Sequence, residues 1–132
     1  MISSSQFLRR ALLADAIFSG TGALAMAPGA SMLAALLDLP ETLLLETGLF
    51  LFAYAALVAW LGTRASVPKL LVAIVIAGNA VWTIGSIALL FSGSVSPNLL
   101  GEVFVVAQAI GTGVLGELQY IGFRRSGSAF AA

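Results

Sequence analysis

Four apolar runs divide the chain: residues 7–27, 42–61, 70–91 and 99–121. About 20 residues of helix, at roughly 1.5 Å each, cross a bilayer core of about 30 Å. Each run therefore predicts a transmembrane helix. The third, LLVAIVIAGNAVWTIGSIALLF, carries no charge and holds Asn79 near its middle with Trp82 one turn on. Pro28-Gly29 ends the first run. The nine residues 31–39, SMLAALLDL, are too few to span, and Met32, Leu33, Leu36 and Leu37 recur at one-turn spacing. They predict a short interfacial helix with Ser31 as N-cap. Residues 62–69 form a tight polar loop with Arg64, Pro68 and Lys69, and residues 92–98 an uncharged turn. The pattern predicts an all-α fold: one domain, 1–132, built as an antiparallel up-down-up-down four-helix transmembrane bundle with sequential helices as neighbours.

Charge supplies an orientation. Arg9, Arg10, Arg64, Lys69, Arg124 and Arg125 are the only basic residues, and four spans place all of them on one side. Cytoplasmic loops concentrate Lys and Arg, so both termini and the 62–69 loop are expected in the cytoplasm. Ala25-Met26-Ala27 resembles a signal-peptidase site, but Asp15 interrupts the apolar run and Pro28 would follow the cut. The first run is therefore read as a retained span.

Composition narrows the chemistry. The chain is 60% hydrophobic and 9% charged, with no net charge, which gives no surface for nucleic acid. It has no Cys and no His. Thiol chemistry and the usual zinc, copper and haem ligands are absent, as is the commonest general base. No catalytic motif, metal site or cofactor is expected, and the chain is read as a non-enzyme.

Polar residues inside the spans are the candidates for function, because a carboxylate at mid-membrane costs about 2.5–3.5 kcal/mol on insertion scales. Counted at about 1.5 Å per residue, Asp15, Tyr54 and Asn79 lie roughly 12–14 Å from the cytoplasmic edge, with Thr112 close to that level. These four are expected to form an interior polar layer. It either fixes helix register, forms a proton or substrate site centred on Asp15, or leaves Asp15 to pair with an arginine at the cytoplasmic edge. Glu46 and Glu102 lie near the opposite edge with Asp38 and Glu41, where no basic residue is expected. They either reach water or receive a cation or a partner's basic residue. Glu117 falls near Arg124 and Arg125, as a local ion pair would.

Small residues in the fourth span, Ala107, Gly111, Gly113 and Gly116, mark a helix-packing face, used within the chain or by a second subunit. Trp82 lies too deep to be an interfacial anchor. It packs in the bundle or meets a partner. Asp15, Ser19 and Gly22 recur as Asn79, Thr83 and Ser86 at a constant offset of 64. This is either a tandem repeat of two hairpins or chance similarity among apolar helices.

At Phe7-Leu8-Arg9-Arg10-Ala11-Leu12-Leu13-Ala14-Asp15-Ala16, Gly78-Asn79-Ala80-Val81-Trp82 and Glu117-Leu118-Gln119-Tyr120, the chain resembles small four-span bacterial membrane proteins with no assigned activity. The resemblance implies a multi-pass protein of the bacterial inner membrane. Two functions are expected. One is an accessory or assembly subunit of a larger membrane complex, with the bilayer and another subunit or a second copy as partners. The other is a small homo-oligomeric transporter or proton-coupled solute binder using Asp15.

Overall fold

Helix α1 (Gln6–Met26) starts where the Ser5 hydroxyl accepts a hydrogen bond from the Leu8 backbone N–H at 3.1 Å. It stops at Ala27-Pro28-Gly29, where proline removes a donor. Helix α2 (Ala30–Leu37) leaves at 86° to α1 and ends on Asp38, whose φ of 56° lies in the left-handed region. Pro40 and Pro68, with φ fixed near helical values, start α3 (Glu41–Thr63) and α4 (Lys69–Phe91). Asn98 caps α5 (Leu99–Arg125), accepting from the Gly101 N–H at 2.8 Å. The computed structural model describes residues 1–128.

The fold is an all-helical bundle whose helices match the predicted spans closely. By length and composition α3, α4 and α5 can each cross a membrane, and the bent pair α1 and α2 can supply a fourth crossing. Their outer faces are apolar: Ile17, Leu70, Val81, Ile84, Phe91 and Leu99 are all exposed. That surface suits lipid, and the architecture is that of a multi-pass membrane protein.

Four features differ from the sequence expectation. The short helix begins earlier, with Gly29 at the N-cap and Ser31 inside it, because the Leu33 N–H bonds the Gly29 carbonyl at 2.9 Å. Second, the polar lead and the 62–69 loop are not irregular. Strands β1 (Ile2–Ser3), β2 (Ser66–Val67) and β3 (Gly127–Ser128) form an antiparallel sheet in the order β2-β1-β3. Ile2 pairs with Val67 and both are buried. The sheet ties both ends of the described chain and the α3–α4 loop together, so all the basic residues gather at one end of the bundle. Third, neither arginine of the C-terminal pair bonds Glu117 among the described residues. Arg124 donates to the Tyr120 hydroxyl at 3.1 Å, and Arg125 lies 4.8 Å from the centre of the Phe7 ring.

The fourth difference shapes the site. Sequential helices are not all neighbours: α1 packs on α3, α5 on α1, and α4 on α5, while α3 and α4 stand apart. Glycine explains the closeness on one side. A Cβ at Gly122 would lie 2.6 Å from the Leu8 Cα, and one at Gly116 would lie 3.1 Å from the Asn79 Cβ. Bulky Phe50, Tyr54 and Trp82 explain the separation on the other. Two apolar cores close the ends. One gathers Leu8, Leu12, Val58, Leu61, Val67 and Val72 at the basic end, the other Met26, Leu37, Leu39, Leu44 and Val105 at the acidic end. The polar groups and a cavity lie between them.

Candidate functional site

The buried positions of α1 step by three and four: Leu8, Leu12, Asp15, Ser19, Ala23 and Met26. Those of α5 do the same: Gly101, Val105, Ala109, Thr112, Gly116, Gln119 and Gly122. Such spacing keeps one seam facing its neighbour along a helix pair. Asp15 sits on this seam at 1% exposure, with no charged partner in reach of a hydrogen bond among the described residues.

Four neutral donors converge on it. Ser19 donates to Oδ1 at 2.8 Å. Tyr54 Oη at 2.6 Å, Gln119 Nε2 at 2.8 Å and Asn79 Nδ2 at 3.1 Å donate to Oδ2. The carboxylate is used only as an acceptor, and its ring of donors comes from α1, α3, α4 and α5. Hydrogen bonds to a charged group are each worth about 1.5–3 kcal/mol, so this cluster is the main polar tie across the bundle. Asn79 also donates its second amide hydrogen to Gln119 Oε1 at 2.7 Å.

Asp15, Tyr54 and Asn79 thus meet, and Thr112 does not join them. Its hydroxyl turns back on its own helix, donating to the Gln108 carbonyl at 2.8 Å. Gln119 takes the place expected of Thr112. Helix α5 runs to Arg125 rather than 121, so depth counted from 121 set Thr112 too near the basic end. Side chains on a helix also lean toward its N-terminus, which on α5 carries the Gln119 amide deeper. Ser19 joins from the stripe shared with Asp15. Thr83, its counterpart by offset, bonds the Ala109 carbonyl instead, at 3.0 Å.

Beside this cluster, between α3 and α4, lies a cavity of about 550 Å³. Its walls are mostly apolar and aromatic: Phe18, Met26, Phe50, Leu51, Trp82 and Phe104. Ser19, Tyr54 and Asn79 are its polar end, with Gln108 and Thr112 further along α5. Asp15 stands behind them and holds them. Trp82 packs within the bundle: its ring stacks on Phe50 at 5.8 Å and 10°, and its indole N–H donates to Gln108 Oε1 at 2.9 Å. The Phe50–Trp82 stack and the Tyr54–Asn79 pair bridge the gap between α3 and α4. A smaller cavity of about 80 Å³ shares the Trp82, Gln108 and Phe104 walls and runs toward Leu39 and Leu44.

The remaining candidates lie elsewhere. Glu46 and Glu102 are exposed at the acidic end. Ala107 is exposed, whereas Gly111, Gly113 and Gly116 face Phe18, Thr83 and Asn79 of this chain. The packing face is therefore used mainly within the molecule. No group of three His, Cys, Asp or Glu among the described residues is placed to hold a metal ion. No family model, curated protein or solved structure matches the chain.

Proposed function

We propose that this chain is a small-molecule binder of the bacterial inner membrane, taking a largely apolar solute into the cleft between α3 and α4. One observation carries the reading: a cavity of about 550 Å³, walled by aromatic and aliphatic side chains, ends on three converging polar groups. Binding sites for small lipophilic molecules have that composition. Asp15 is the positioning residue, because its carboxylate holds the Tyr54 hydroxyl and the Asn79 amide at the cavity wall.

Gly78 provides the test. It lines the cavity, and a Cβ added there meets nothing within 4 Å. Gly78→Leu should therefore fold, with helix propensity gaining up to about 1 kcal/mol, while filling the cavity. Bromodecanol should quench the tryptophan emission of the parent protein saturably in lipid nanodiscs. Its apparent affinity should fall about tenfold or more in Gly78→Leu, the loss expected when a ligand's packing is blocked. Equal, unsaturable quenching of both proteins would reject the cavity as a binding site.

We also propose that both termini are cytoplasmic. The support is the gathering of every basic residue at the end closed by the sheet. A reporter fused after Arg125 is expected to read cytoplasmic, and periplasmic activity there would reverse the assignment.

An accessory role in a larger membrane complex keeps one supporting observation. Glu46 and Glu102 are exposed at the acidic end, with no basic residue there. If a partner's Lys or Arg meets them, Glu46→Gln with Glu102→Gln will lose that partner on co-purification at moderate salt. Retention of the partner would leave the two acids as solvated carboxylates.

A further inference from the structure

With Asp15 as the carboxylate, the hydrogens of the polar cluster do not suffice for its contacts. Tyr54 has one hydroxyl proton and two acceptors in reach, Asp15 Oδ2 at 2.6 Å and Asn79 Oδ1 at 3.1 Å. The shorter, charge-assisted contact takes the proton. Asn79 cannot supply one from its other side, because both its amide hydrogens are committed to Asp15 and Gln119. Turning the amide over would set its oxygen 3.1 Å from the Asp15 carboxylate and against Gln119 Oε1. Tyr54 Oη and Asn79 Oδ1, on two residues that line the cavity, therefore stand side by side as two acceptors without a hydrogen between them. Asn79 is only 4% exposed, and the open space beside it is the cavity it lines.

Resting on the binding role above, we infer that the ligand is a lipophile whose head group donates a hydrogen bond, an O–H or an N–H on an apolar body. The donor seats between Tyr54 Oη and Asn79 Oδ1, and a bifurcated bond to both satisfies the pair. The body lies against Phe50, Leu51 and Trp82. Ketones, esters and oxidised quinones bring only acceptors to this end, which sets oxygen against oxygen. The uncompensated Asp15 carboxylate behind the seat adds attraction for an ammonium head, so both alcohols and amines fit the chemistry.

The chain holds two tryptophans, Trp60 and Trp82. In the Trp60→Phe protein, Trp82 becomes the sole indole and reports from the cavity wall. Decanol, decylamine, decan-2-one and decyltrimethylammonium share one alkyl chain and differ at the head. Each is titrated into the protein in lipid nanodiscs, with concentrations taken per lipid to remove differences in partitioning. Decanol and decylamine should shift Trp82 emission saturably, with affinity about tenfold or more above the ketone and the quaternary cation. Parity of alcohol and amine identifies a neutral donor as sufficient, and an excess for the amine shows that the Asp15 charge contributes; either result upholds the inference. Tyr54→Phe should shrink the preference severalfold, and where that variant does not fold, the series on the Trp60→Phe protein decides alone. If all four bind alike, or the ketone or the quaternary cation binds as well as the donors, the donor requirement is wrong while the cavity remains a binding site. If none perturbs Trp82 saturably, both this inference and the binding role fail.

Discussion

Asp15→Ala should lower the stability of the bundle by about 2–4 kcal/mol, whereas Thr112→Val should cost less than about 1 kcal/mol. The two positions look alike in sequence, since each is a polar residue inside an apolar helix. The structure separates them. Removing the Asp15 carboxylate strands the hydroxyls of Ser19 and Tyr54 and amide hydrogens of Asn79 and Gln119, all in a region of low exposure. Interhelical hydrogen bonds between neutral groups in membranes average about 0.6 kcal/mol, but four bonds to one carboxylate act together and exceed that figure. Part of the loss is recovered, because Tyr54 can turn its proton to Asn79 Oδ1, which lies 3.1 Å away. Thr112 bonds only the Gln108 carbonyl of its own helix, and valine keeps its shape. Unfolding in mixed micelles of mild detergent and SDS, followed by circular dichroism, measures both. Equal losses in the two variants would show that the carboxylate cluster does not tie the helices together.

The spans were legible because length and apolar content alone set them. Which helices touch was not. Each helix of this molecule is apolar on its outer surface and toward its neighbours, so hydrophobicity marks no inward face. Proximity in sequence was the remaining guide, and it failed for α3 and α4. Residue size would have corrected it. Glycines on α5 at 116 and 122 admit close neighbours, while Phe50, Tyr54 and Trp82 on α3 and α4 prop their helices apart. The same stripe on α5, continued from Thr112 through Gly116, points to Gln119 and Gly122. Asp15, Tyr54 and Asn79 were legible as a group because the cost of burying polar atoms forces them to meet. The sheet was not legible at all. Strands of two residues are too short to show an alternation of period two, and their pairing joins residues 2, 67 and 128.

Gly122→Leu should destabilise the protein by about 3 kcal/mol, the upper part of the usual range for overpacking, and loosen the polar cluster as well. A Cβ at this position would fall 2.6 Å from the Leu8 Cα and 2.8 Å from its backbone nitrogen. These are backbone atoms at the start of α1, and they cannot rotate aside. The two helices must therefore separate at the basic end. That movement also strains the Ser5 hydroxyl, which donates to the Gly122 carbonyl at 3.1 Å while capping Leu8. Gln119 lies one turn earlier on the same face of α5, so its amide is drawn away from Asp15, which it meets at 2.8 Å. Gly85→Ala is the matching control, because a Cβ there meets nothing within 4 Å and helix propensity favours alanine by up to about 1 kcal/mol. Thermal unfolding in detergent should show Gly122→Leu well below the parent and Gly85→Ala at or above it. A double variant, Gly122→Leu with Gln119→Ala, gives the coupling. If α5 displacement already disengages Gln119, the two costs will sum to less than their parts, and strict additivity would show that the close approach at Gly122 does not hold the polar cluster in place.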